Sequence, residues 1–296
     1  MARTIGIIIA EGIVTGLVEG HELAGKLRIS EQDTEDEPLL SLPPEGIAQR
    51  FAQEIAAVGA GGKVDAVGVA LPGIINCGFI EESPNLRQLK GAHMQDLLRA
   101  ALKEQGIEAP AYVYNDADVL AAGLAATHGN LDRFIRVWTL GNGIGFGVYP
   151  RRDGVWEGGH VVVSLDPRER YCGCGGVGHL EGIMGYRAMR LRFLDMEPDE
   201  VFENAQKRDQ RCVEFVKLWH RALAAATANS IHLAGPGKFF ISGFNSRHLD
   251  INLLHQYLHE MVKLSPLQSY VFEVVPSSEK EAVIGAAVSA AQNAAQ

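Results

Sequence analysis

The chain has 296 residues, 47% of them apolar, and a formal net charge of −9. That length and apolarity fill one large or two ordinary cores, and the acidic balance without any basic run excludes a nucleic-acid surface and a polybasic membrane anchor. No stretch reaches the roughly 18 apolar residues of a membrane span.

The chain opens on the apolar run TIGIII, not on a charged segment with a cleavage site, and a cytoplasmic protein is expected. Residues 4–9 and 12–18 are glycine-punctuated apolar runs that read as a hairpin, followed by a more polar strand over 21–29. The acidic stretch 31–37 reads as a solvated loop. Ile47, Phe51, Ile55 and Val58 recur at helical spacing, and Gly59, Gly61 and Gly62 end that helix. A strand over 66–70 runs into Leu71, Pro72 and Gly73. Leu97, Leu98, Ala101 and Leu102 mark a second helix stopped by Gly106, and a strand over 111–115 leads into a helix over 116–126.

After His128 the order repeats in outline. Residues 134–140 form a strand, 141–147 a glycine-rich turn, and Val148 begins the return strand. A long helix over 211–234, a buried strand over 238–242 ending at Gly243, and an alanine-rich helix over 281–290 complete the chain. Strands alternating with helices give an α/β class. The expected division is 1–116 for the first domain, completed by a C-terminal helix over 280–296, and 117–279 for the second. Two such halves place ligands in the crevice at the strand ends.

Two clusters carry chemistry. Asn115 and Asp116 end a strand where a helix begins. An Asp there is more often an N-cap than a base, yet a carboxylate at a strand end can also accept the proton of an attacking hydroxyl, and the amide of Asn115 suits a diol. The second cluster, EGGH at 157–160 and CGCGGVGHLE at 172–181, holds His160, Cys172, Cys174 and His179. Four soft or borderline donors so close together fit a tetrahedral zinc site in a reducing compartment better than two structural thiols with two surface histidines. Cys77 and Cys212 read as incidental. Glu157 and Glu181 are then left over for another ligand. The run GNGIGFG from Gly141 reads equally as a hairpin turn or as a nest of N–H groups for phosphate.

Taken together, GVALPG at 68–73, SPNL at 83–86, YNDADVLAAG, TLGNGIGFGV, EGGH, CGCGGVGHLE and VIGAAVSA resemble the ROK family of sugar kinases and repressors, nearly end to end. The resemblance implies a two-domain actin-like ATPase (ribonuclease H-like) fold with an interdomain cleft, a homodimer, and glucokinase-like phosphorylation of a hexose or N-acetylhexosamine with Mg2+ and ATP. It implies Asp116 as catalytic base and Asn115, Glu157, His160 and Glu181 as sugar ligands. Gly141, Asn142, Gly143 and Gly243 would line the nucleotide, and structural Zn2+ would sit on His160, Cys172, Cys174 and His179. A small-molecule sugar is the expected partner, with neither nucleic acid nor membrane; no helix-turn-helix precedes the first strand.

Two departures stand out. His179 replaces the family's third cysteine, and imidazole remains a competent zinc ligand. The family's opening DxGGT loop, which serves the metal and phosphate end of ATP, here reads IIIAEGIVTG, with Ile7 or Ile8 at the Asp position and Glu11 where phosphates would pass. The resulting expectation is a sugar kinase with a degenerate first phosphate loop, or a catalytically weak relative that binds sugar as a sensor or partner.

Overall fold

The structure, a computed structural model, is described at residues 1–10, 12–31, 33–34, 37–151, 154 and 156–296, with the backbone alone at 31, 33, 34, 37 and 38. Glu11 lies outside the described residues. In chain order the elements are β1 (Arg3–Ile9), β2 (Gly12–Glu19), β3 (Glu22–Leu23), β4 (Arg28–Glu31), β5 (Asp33–Thr34), β6 (Glu37–Pro38), α1 (Pro44–Gly59), β7 (Ala66–Leu71), β8 (Ile74–Asn76), β9 (Phe79–Glu82), α2 (Met94–Glu104), β10 (Ala111–Asn115) and α3 (Asp116–Thr127). They continue with β11 (Ile135–Leu140), β12 (Ile144–Tyr149), α4 (Leu180–Met184), α5 (Tyr186–Arg192), α6 (Pro198–Gln206), α7 (Gln210–Ala234), β13 (Lys238–Ser242), α8 (Ile251–Met261), β14 (Val271–Val274) and α9 (Glu279–Ala294).

The chain divides into two compact units, Met1–Ile135 with Gly147–Val155 and Ser278–Gln296, and Arg136–Phe146 with Trp156–Ser277. The first unit therefore keeps α3, which the division at 116/117 assigned to the second. The cause is packing on α9: a Cβ at Gly123 would lie 1.7 Å from the Glu281 carbonyl oxygen, and one at Gly285 1.7 Å from that of Val119. Only paired glycines let the two helix backbones approach so closely.

In the first unit the sheet order is β10-β7-β1-β2-β3, with β4 also on β2. β1, β7 and β10 are parallel, and β2 is antiparallel to β1. Strand alternation splits the core between the two faces. Ile5, Ile7, Val67, Val69 and Val113 pack with Phe51 and Ile55 of α1 and Leu98 of α2, whereas Ile8, Ala70 and Tyr114 pack with Val283 and Ala286 of α9. The strand expected over 21–29 is two short ones, β3 and β4, interrupted where Gly25 takes φ of +100°. In the expected acidic loop over 31–37, Thr34 pairs with Glu37, and Asp33 pairs with Pro38 just beyond it.

The sheet β12-β11-β13-β14 belongs to the second unit apart from Ile135 and the last three residues of β12, which fall in the first, and its hairpin pair beside two later strands repeats the order β2-β1-β7-β10. The core of the second unit gathers Trp138, Leu140, Phe239 and Ile241 with Trp219 and Leu223 of α7. The buried indole N–H of Trp138 donates to Thr227 Oγ1 at 3.1 Å. β12 begins at Ile144, four residues before the expected return strand, because Gly145 and Gly147 hide the alternation that marks a strand. Among the described residues no helix is long and apolar enough to cross a membrane.

Candidate functional site

The first cluster sits at the junction of β10 and α3. Asn115, not Asp116, is the N-cap: its Oδ1 accepts from the N–H groups of Ala117 at 2.8 Å and Asp118 at 3.3 Å, while its Nδ2 donates to the Gly73 carbonyl at 2.9 Å. Capping thus occupies the Asn115 side chain. Asp116 is exposed at the first helical position, with Oδ1 2.9 Å from the Ala117 nitrogen.

Sequence reasoning passed over Asp118, although the block YNDAD displays it. Its Oδ1 accepts the Val148 N–H at 3.1 Å. Burial pushes its carboxyl up from 3.8 to about 6, against the opposing effects of the Val148 bond and the Arg151 charge. A folded-state value above the unfolded one means that the folded state binds the proton more tightly. Stability therefore falls as pH rises from about 4 to about 6, and the cost persists above that. Two pK units correspond to on the order of 3 kcal/mol at most. Asp118→Asn retains an acceptor without the charge, so thermal unfolding should show the variant gaining stability over the parent at pH 8 and little difference at pH 4.

The second cluster is assembled by a short antiparallel pairing. Val163 N–H donates to Gly178 O at 2.8 Å and Leu180 N–H to Val161 O at 3.0 Å, which brings His160 beside His179. Glu169 and Arg192, ion-paired and mostly buried, tie the intervening loop to α5. The ligand atoms of His160, Cys172, Cys174 and His179 all lie within 4.8 Å of one another. Four of the separations are His160 Nδ1 to His179 Nδ1 at 3.3 Å, His160 Nδ1 to Cys172 Sγ at 3.4 Å, Cys172 Sγ to Cys174 Sγ at 3.3 Å and Cys174 Sγ to His179 Nδ1 at 3.2 Å. Zinc bond lengths give tetrahedral edges of about 3.3–3.8 Å, so the donors fit one ion with small outward adjustment of the sulfurs. Burial pushes the Cys172 thiol up to about 12 and lowers His179. A thiolate at Cys172 thus calls for a cation beside it.

Gly176 has a specific steric reason: a Cβ there would lie 2.0 Å from His179 Cε1. His160 turns its other ring nitrogen outward, with Nε2 3.7 Å from Glu157 Oε2. Those two side chains form one polar face next to the donor cluster. Glu181 Oε2 accepts the Ile144 N–H at 3.0 Å, and its Oε1 lies 3.7 Å from Cys172 Sγ.

The glycine-rich turn is partly committed internally. Gly141 N–H donates to Gly143 O at 3.0 Å, Ile144 N–H is taken by Glu181, and Gly145 N–H reaches Thr139 Oγ1 at 3.1 Å. A phosphate nest here would rest on the N–H groups of Asn142 and Gly143. Gly243 takes φ of +94°, and a Cβ on it would lie 2.4 Å from the Leu140 carbonyl oxygen, so backbone conformation and close strand packing both call for glycine there.

At the end of β1, Ile7 and Ile8 are both buried in core clusters on opposite faces of the sheet. Ile9 pairs with Ile13, and Ala10 N–H donates to Gly12 O at 2.8 Å, closing a tight hairpin.

Comparison with known proteins matches these observations. The ROK family pattern matches residues 21–293. A glucokinase of Pyrobaculum calidifontis is 29% identical over 205 residues, 64% of this chain and 66% of the relative, just under two thirds of its length. An N-acetylmannosamine kinase of Haemophilus influenzae is 27% identical over 246 residues, 76% of this chain and 78% of the relative. The crystal structure of a ROK hexokinase from Thermus thermophilus superposes with a TM-score of 0.79 at 21% identity, covering 98% of each chain. With its paired sheets and a family match over most of its length, this chain belongs to the ROK family and has the actin-like ATPase fold.

Proposed function

We propose that the protein is an ATP-dependent sugar kinase acting on a hexose or N-acetylhexosamine, with Asp116 as general base. The observation that carries this reading is the arrangement at the start of α3: Asn115 caps the helix, and the Asp116 carboxylate is exposed at the first helical position, where it would meet a substrate hydroxyl. The relatives named glucokinase and N-acetylmannosamine kinase support this substrate class. In the proposed reaction the sugar oxygen bonds to the γ-phosphorus as its proton passes to Asp116. The bond from that phosphorus to the β,γ-bridging oxygen breaks, and the electron pair leaves with ADP. Glu157 and His160 would hold sugar hydroxyls, joined by Glu181 and by the second amide hydrogen of Asn115.

His160, Cys172, Cys174 and His179 would hold Zn2+, which when bound would pin the loop and fix the His160 ring. That leaves Nε2 of His160 to meet a hydroxyl beside Glu157. Asn142 and Gly143 would offer N–H groups to phosphate oxygens, with Gly141 and Gly243 shaping the backbone around them. Mg2+ would neutralise triphosphate charge.

A second reading, a sugar-binding protein with weak nucleotide chemistry, is favoured by one feature. Ile7 and Ile8 are core residues where an acid would serve the metal, and the family match begins only at residue 21, after the β1–β2 hairpin. Weak binding of MgATP is expected, with sugar binding measurable in its absence. Calorimetric titration with glucose, N-acetylglucosamine and N-acetylmannosamine, each with and without MgATP, separates the readings. Tight MgATP binding with brisk phosphorylation would show that another residue replaces the lost acid; sugar binding with no nucleotide affinity would favour the second reading.

A further inference from the structure

We propose that Asp118 is a positioning residue, the far end of a hydrogen-bonded chain that fixes the first turn of α3 and with it the direction of Asp116. The inference rests on the reading of Asp116 as the base. The chain runs through three segments of the first unit. The Gly73 carbonyl, just past β7, accepts from Asn115 Nδ2 at 2.9 Å. Asn115 Oδ1 accepts the Asp118 N–H at 3.3 Å, and Asp118 Oδ1 accepts the Val148 N–H at 3.1 Å.

An acid at the third helical position ordinarily turns back to the N–H groups of its own helix terminus. Asp118 instead reaches a strand 30 residues further along the chain. The strand lies directly on that turn, since a Cβ at Gly147 would be 1.9 Å from the Ala117 carbonyl oxygen. Residues 147 and 148 thus press on the two helical residues that follow Asp116. Val148 is itself buried, so loss of its acceptor leaves an unpaired N–H that the strand can relieve only by moving. Burial of an acid this way costs stability at neutral pH.

The test compares Asp118→Leu and Asp118→Ser, which remove or misplace the acceptor, with Asp118→Asn, which retains it. In the first two, kcat for sugar phosphorylation should fall roughly tenfold or more with the sugar KM within about twofold, and the Asn variant should stay within about threefold of the parent. In parallel, the carboxyl carbon of Asp116 is titrated by NMR in each variant, a readout that needs no turnover. Its midpoint should move in the Leu or Ser protein and stay parental in the Asn protein. A parent without turnover would defeat the kinase reading, and the Asp116 titration would then decide the positioning role alone. An unmoved Asp116 midpoint in a folded Leu or Ser variant, measured below its melting temperature, overturns the proposal. So does an equal shift in the Asn variant, because that assigns the effect to charge and not to the bond.

Discussion

Asp116→Asn is expected to slow sugar phosphorylation by about two orders of magnitude or more while changing sugar affinity by less than about threefold. The asymmetry follows from the geometry. The helix cap is made by Asn115, and with an amide at position 116 Oδ1 can still meet the Ala117 N–H. What is lost is a group able to take a proton as the hydroxyl attacks. Glu157→Ala should show the converse, weakening sugar binding first, because its side chain stands beside His160 Nε2 on the polar face. Steady-state kinetics paired with sugar titration measures both. An Asn variant as fast as the parent would remove Asp116 from the mechanism.

The second large effect concerns the four-donor cluster. Protein purified without chelator should carry about one zinc per chain, and Cys174→Ser should lower both zinc content and melting temperature. Structural zinc binding amounts to roughly 10 kcal/mol or more in small zinc domains, and binding to the folded state alone converts part of it into stability. Cys174 is the informative position because it is exposed and makes few other contacts: Gly176 N–H at 3.3 Å, Cys172 Sγ and His179 Nδ1. A serine there costs almost nothing in packing, so a large fall in melting temperature reports the metal. Elemental analysis showing no zinc in such a preparation would refute the assignment, whatever the spacing of the donors.

Much of the site was legible because its chemistry is local. The CxC pair and two histidines lie within 20 residues of chain, and the structure places their ligand atoms within 4.8 Å of one another. The junction at Asn115 was legible as a strand end entering a helix, although which of the two residues caps it was not, since both side chains can accept the same N–H groups. Asp118 escaped notice for the opposite reason. Its partner is Val148, and no local pattern links a helix residue to a strand 30 residues away. The glycines divide the same way. Gly143 and Gly243 read as room for phosphate, yet the Glu181 carboxylate fills the space beside one and the Leu140 backbone that beside the other.

By itself the sequence determined the alternation of strands and helices, the donor set and the apolar end of β1, because periodicity, ligand type and side-chain polarity are properties of neighbouring residues. Only the tertiary structure decided that α3 belongs with α9, that β12 starts at Ile144, and that Asp118 and Glu181 each hold a distant strand. Those outcomes depend on close backbone approach and on single hydrogen bonds between segments far apart in the chain, which appear only once the segments are packed.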